Sequence, residues 1–142
     1  MTIIVALVAV LICISCTEDE GSEISAVDRC RYDNQPRLCT SNLAFIPIYL
    51  KDQDSNPIAL DHFSVNGDNY YDENIPSETD RNSGRYIIFS DNDAQFIEVG
   101  GSKFLFKGMV SDKVIVNETY TVGYNCCHVF LLSENDTVRL NI

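Results

Sequence analysis

Six cysteines carry most of the chemistry this chain can offer: Cys13, Cys16, Cys30, Cys39, Cys126 and Cys127. A thiol can be acylated, joined in a disulfide, bound to a metal or used as a nucleophile, and the surroundings decide which. His128 directly follows the Cys126-Cys127 pair, and the second histidine is His62. Adjacent strand residues point to opposite faces, so Cys127 and His128 do not form a nucleophile and base pair on a strand. For the same reason Cys126, Cys127 and His128 fit a tetrahedral metal site poorly, and no metal ligand set is assigned. Asp72, Glu73, Glu78, Asp80, Asp91 and Asp93 supply carboxylates, but the sequence marks no two of them as a positioned acid and base. Asp52, Asp54 and Asn56 have the alternate spacing that opens a calcium-binding loop, yet Pro57 and Phe63 stand where Gly and Glu are required. That segment reads as a polar turn. No catalytic residue and no cofactor is therefore expected, and the chain is read as a non-enzyme.

Cys16 has the most specific setting. Residues Thr2 to Ser15 form an uncharged apolar run, too short to span a bilayer and suited to a secretory leader. Cys13-Ile14-Ser15-Cys16 closes it and resembles a lipobox, the cleavage site of bacterial lipoprotein signal peptidase. Cys13 stands where Leu is usual, and no positive charge precedes the run. The resemblance implies that Cys16 becomes the new N-terminus and carries acyl chains, so that the lipid bilayer is one partner. The following Thr17-Glu18-Asp19-Glu20 is similar to the surface-export signal of Bacteroidetes lipoproteins, which implies outer-membrane anchoring facing outward.

Four cysteines remain for the mature domain, and an oxidising compartment favours two disulfides. A Cys126–Cys127 bridge would be a strained vicinal link, so Cys30 and Cys39 should each reach one member of that pair. The sequence leaves open which reaches which. On a strand the two bridges would leave in opposite directions, one into the core and one toward the surface.

The elements that position these residues are short. At 142 residues, with 45% hydrophobic content, one domain is expected: a leader at 1–15, a lipidated acidic tether at 16–28 and a β domain at 29–142. Ten Lys and Arg against 21 Asp and Glu give a net charge of -11, which opposes binding to nucleic acid. Leu43 to Leu50 reads as a strand buried on both faces, followed by a turn from Lys51 to Pro57. Ile58 to Val65 reads as a strand with a bulge between Leu60 and Phe63. Tyr70 to Ser83 reads as a long polar loop, in which Tyr70 and Tyr71 are a candidate ligand-binding pair. Further strands are expected at Arg85–Ser90, Gln95–Val99, Lys103–Val110 and Lys113–Val122, with a last hairpin from Cys126 to Ile142. The whole reads as an all-β, two-sheet antiparallel sandwich of about seven or eight strands, prealbumin-like or immunoglobulin-like in form.

Two resemblances extend this reading. Asp54-Ser55-Asn56-Pro57-Ile58 and Gly84-Arg85-Tyr86-Ile87-Ile88 look like the prealbumin-like sandwich of carboxypeptidase regulatory-like domains, over about Ala44 to Ile142. Val122-Gly123-Tyr124-Asn125-Cys126-Cys127-His128-Val129 is similar to a signature of uncharacterised small Bacteroidetes lipoproteins. Asp136-Thr137-Val138 resembles the O-glycosylation motif of their exported proteins, which implies Thr137 as an acceptor. Together these imply a membrane-anchored, surface-exposed, non-catalytic binding or interaction module of the cell envelope, with an unidentified protein or glycan partner. The alternative is an accessory subunit of an envelope complex or, more remotely, an enzyme whose site the sequence does not reveal.

Overall fold

The computed structural model describes residues 24–32 and 37–142. The leader, Cys16 and the acidic residues 17–23 lie outside the described residues. Among the described residues the chain forms two short helices, eight strands and one 3-10 turn. In order these are α1 (Ala26–Tyr32), β1 (Phe45–Asp52), β2 (His62–Gly67), β3 (Tyr70–Asn74), α2 (Glu78–Ser83) and β4 (Arg85–Ser90), then the 3-10 turn Asp91–Phe96, β5 (Ser102–Val110), β6 (Lys113–Tyr124), β7 (Val129–Leu131) and β8 (Thr137–Leu140). One sheet has the order β4-β1-β8, the other β3-β2-β5-β6-β7. The chain is an all-β sandwich, as its strand spacing implies. Every ladder is antiparallel except β1 with β8, which is parallel.

Alternation explains the core. Ile46, Ile48 and Leu50 of β1 and Tyr86 and Ile88 of β4 are buried from one sheet. Phe63, Val65, Phe104, Phe106, Val116, Tyr120 and Val122 are buried from the other. Rings interlock between the layers: Phe89 meets Phe104 at 4.5 Å between centroids, and Phe63 meets Tyr86 edge-on at 5.6 Å. β1 is therefore buried on one face only. Phe45 is half exposed, which corrects the reading of a strand buried on both sides.

Ile58 to Val65 is not one bulged strand. Ile58 and Leu60 are buried in a segment that crosses from the first sheet to the second, and β2 begins only at His62. The shift in apolar parity marks that crossing. Tyr86 holds it: its hydroxyl donates to the Ile58 carbonyl at 2.7 Å and accepts the Leu60 N–H at 2.9 Å. Because Tyr86 is fully buried, Tyr86→Phe leaves both backbone groups unpaired. Urea denaturation of that variant should show a loss of about 1–3 kcal/mol.

The polar stretch 70–83 is ordered, not a long loop. β3 forms the edge of the five-stranded sheet. α2 is started by Ser77, whose hydroxyl accepts the Asp80 N–H while the Asp80 carboxylate accepts the Ser77 N–H. Gly84 ends it at φ 64°, where an added Cβ would lie 2.5 Å from the Leu50 carbonyl oxygen. Gln95–Val99 is likewise not a strand. Asp93 folds the preceding residues into the 3-10 turn by accepting the Ser90 N–H and hydroxyl at 2.9 and 2.8 Å.

The C-terminal hairpin also fails to form. β7 lies at the edge of the five-stranded sheet, whereas β8 joins the other sheet beside β1. The Tyr49 N–H donates to the Asp136 carbonyl at 2.7 Å, steering residues 137–140 along β1, where Val138 and Leu140 pack against the core. The folded part begins before residue 29. Ser25 bridges Glu98, the Ala26 N–H donates to the Ile97 carbonyl at 2.7 Å, and Ala26 is buried. Residues 25–28 thus belong to the domain, with α1 set against the 3-10 turn.

Candidate functional site

The Asn125 to Val129 segment is a tight turn between β6 and β7. The Asn125 side-chain oxygen accepts the N–H groups of Cys127 and His128 at 3.0 and 2.8 Å, and its own N–H donates to the His128 carbonyl at 3.2 Å. Cys126 takes the left-handed conformation at φ 73°. The two cysteines are therefore turn residues, and the strand argument about their directions does not apply. Cys30 pairs with Cys126 and Cys39 with Cys127, each with a Cα separation of 5.3 Å. Both members of the first bridge are half-buried, and Cys39 of the second is exposed. Neither bridge enters the core, contrary to the expectation for a strand. They join α1 and residues 37–42 to the same turn.

Beside these bridges stands Asp91, the first residue after β4. Its Oδ2 accepts the Ala44 N–H at 2.7 Å and faces His128 Nδ1 at 2.8 Å. Its Oδ1 accepts the Val129 N–H at 2.8 Å. Partial burial alone would raise the pKa of this carboxyl, but the Ala44 amide, the His128 ring and the Val129 amide together hold it below the usual carboxylate value. An ionised Asp91 only accepts hydrogen bonds, so it fixes the His128 proton on Nδ1. In the neutral ring that leaves Nε2 as an acceptor, and it lies 2.7 Å from the Thr40 hydroxyl. Thr40, His128 and Asp91 thus form a continuous hydroxyl–imidazole–carboxylate chain. No spacing in the chain marks it: Thr40 lies 88 residues from His128, and Asp91 lies 37. The lone readable signal was a histidine beside a pair of cysteines.

The other expected site residues fall elsewhere. Tyr70 and Tyr71 lie on β3, not in a loop, and point to opposite faces. Tyr70 packs its ring against Phe89, Phe96 and Phe104 at 5.1, 5.1 and 5.6 Å. Burial pushes its phenol well above the ordinary value, with Asp93 and Asp72 adding to the effect. Tyr71 faces outward and donates to Glu73 at 3.0 Å. They do not form a joint ligand platform. Thr137 opens β8, is half-buried and donates to Asp136 at 3.0 Å. Asp72 accepts from the Asn74 side chain at 2.6 Å, and Asp80 and Asp93 cap turns, so these carboxylates have local structural partners. Asp52 accepts both the backbone and side-chain N–H of Asn56, closing the polar turn. Among the described residues no three His, Cys, Asp or Glu side chains converge as a metal site.

Comparison with family models, with curated proteins and with solved structures finds no match, so the site is read from its own geometry.

Proposed function

We propose that the chain is a lipid-anchored component of a bacterial cell envelope, with the sandwich acting as an interaction module held outward on a short acidic tether. The observation that carries this reading is the pair of disulfides. Bridges of this kind persist in oxidising compartments and are rare in the cytosol. They fasten the residues that follow Cys16 to the β6–β7 turn, so a pull on the anchor is transmitted to the sandwich through covalent bonds. The Cys13-Ile14-Ser15-Cys16 segment supplies the anchor, and membership of a small Bacteroidetes lipoprotein family is part of the same proposal.

The partner is a protein or a glycan, met at the β3 side of the sandwich. β3 is an edge strand, with one side of its backbone open to further pairing. Tyr71 and Ile75 beside it are 65% and 81% exposed, and Asp61, His62, Glu73 and Ile75 line a shallow cleft of about 480 Å³. Exposed apolar groups set among polar ones suit a contact surface. The net charge of -11 favours a basic partner.

Protease treatment of intact cells tests the display. The domain should be degraded without permeabilising the outer membrane, and chemical crosslinking through a lysine placed at Ile75 should capture a discrete partner. Protection until the membrane is opened would place the domain inside and remove the outward-facing part of the proposal.

A further inference from the structure

Thr40, His128 and Asp91 meet the geometric requirements of a nucleophile, a base and a residue that orients the base. The Thr40 hydroxyl is 2.7 Å from His128 Nε2, and His128 Nδ1 is 2.8 Å from Asp91. Exposure falls along the chain as such chemistry requires. Thr40 is open to solvent, whereas the side chains of His128 and Asp91 are 25% and 14% exposed. A second observation reinforces the first. Thr40 directly follows Cys39 and His128 directly follows Cys127, and these two cysteines are bonded to each other. The disulfide therefore clamps hydroxyl and base side by side across 88 residues of sequence, and restricting their separation raises their effective concentration.

We propose that Thr40 is an acyl-accepting nucleophile, activated by His128 and taking acyl groups from esters with a good leaving group. In the step, Thr40 Oγ1 forms a bond to the acyl carbon while its proton passes to His128 Nε2. Asp91 remains ionised beside the imidazolium and acts as a positioning residue. The bond from the acyl carbon to the leaving oxygen breaks, and that oxygen departs with the electron pair. The proton on His128 then goes to the leaving group or to water. The product is an ester on Thr40, which water can later cleave by the reverse proton path. No oxidant, metal or cofactor enters the balance.

The probe is p-nitrophenyl acetate, whose leaving group is good enough that a general base alone accelerates the step. Nitrophenolate release from the full chain is followed by absorbance, and the site of acetylation by peptide mass spectrometry. The expected result is acetylation at Thr40, absent in Thr40→Val and carried by the new primary hydroxyl in Thr40→Ser. His128→Gln should slow it about 100-fold or more, the scale of a lost general base. The Cys39→Ser/Cys127→Ser variant, which keeps the other bridge, should fall in the same direction as the clamp opens. Thr40 is exposed, so its variants retain the fold, and circular dichroism verifies this. Nitrophenolate release by Thr40→Val at the wild-type rate would show the imidazole reacting directly and overturn the proposal. Thr40 acetylation at the wild-type rate in His128→Gln, or none in the wild type, would do the same.

Discussion

Replacing all four bridge cysteines by serine is expected to cost about 7 kcal/mol, a large share of an ordinary domain's stability. The two bridges are not equivalent additions. Either one alone closes a loop of 96 or 88 residues, worth about 4–5 kcal/mol in the chain-entropy view. With one in place, the other closes only a small ring, running from Cys30 to Cys39 and back through adjacent Cys127 and Cys126. A ring of about ten residues contributes about 2–3 kcal/mol. Removing Cys30–Cys126 alone should therefore cost about 2–3 kcal/mol, and removing the second bridge afterwards distinctly more. Urea denaturation of the single-bridge and bridge-free variants checks both figures. The dependence on urea should also steepen as bridges are lost, because the unfolded chain expands. Equal costs for the first and second removal would show that the bridges act through native contacts and not by restricting the unfolded chain.

Asp91→Asn is expected to cost about 3–4 kcal/mol, although it changes few atoms. Two backbone N–H groups and the His128 ring point at this carboxylate. An amide sets two donor hydrogens against at least one of those donors and also removes the charge. The pH dependence follows from the direction of the shift. The folded carboxyl titrates below its ordinary value, so its stabilising effect is complete above the unfolded pKa of about 3.9 and disappears as pH falls through the lower folded value. The gap between wild type and Asp91→Asn should therefore narrow as the pH falls into the acid range. Stability measured by denaturant at a series of pH values gives the curve. A gap that widened in acid would mean that Asp91 is not held as an anion.

Much of the sandwich was legible because alternation is a local property. β4 and β5 fall on short apolar runs, β6 falls where its apolar residues alternate, and the Asp52 to Pro57 turn falls where its polar residues cluster. The elements missed lacked that signal. β3, Tyr70–Asn74, is a polar edge strand, and α2 buries none of its residues, so neither carries an apolar stripe. β7 and β8 read as a hairpin because they are close in sequence, yet which sheet a short strand joins depends on the free edge of β1. The cysteine pairing was half legible. Excluding a vicinal bridge left two connectivities, and the fold shows Cys30 with Cys126 and Cys39 with Cys127. The Thr40–His128–Asp91 chain was not legible, since its three members come from three separate segments and none sits in a spacing that marks the others.

Residues 25–32 tie the start of the described chain to the sandwich. α1 packs at the 3-10 turn, and Cys30 continues the path from there into the β6–β7 turn.

The proposed role in the envelope stands on the chemistry at Cys16, and intact mass measurement of the protein purified from its native host tests it directly. The expected chain starts at Cys16 and is heavier than its residues by a diacylglycerol group with or without an amide-linked acyl chain. A chain that retains residues 1–15 with an unmodified Cys16 thiol would contradict it.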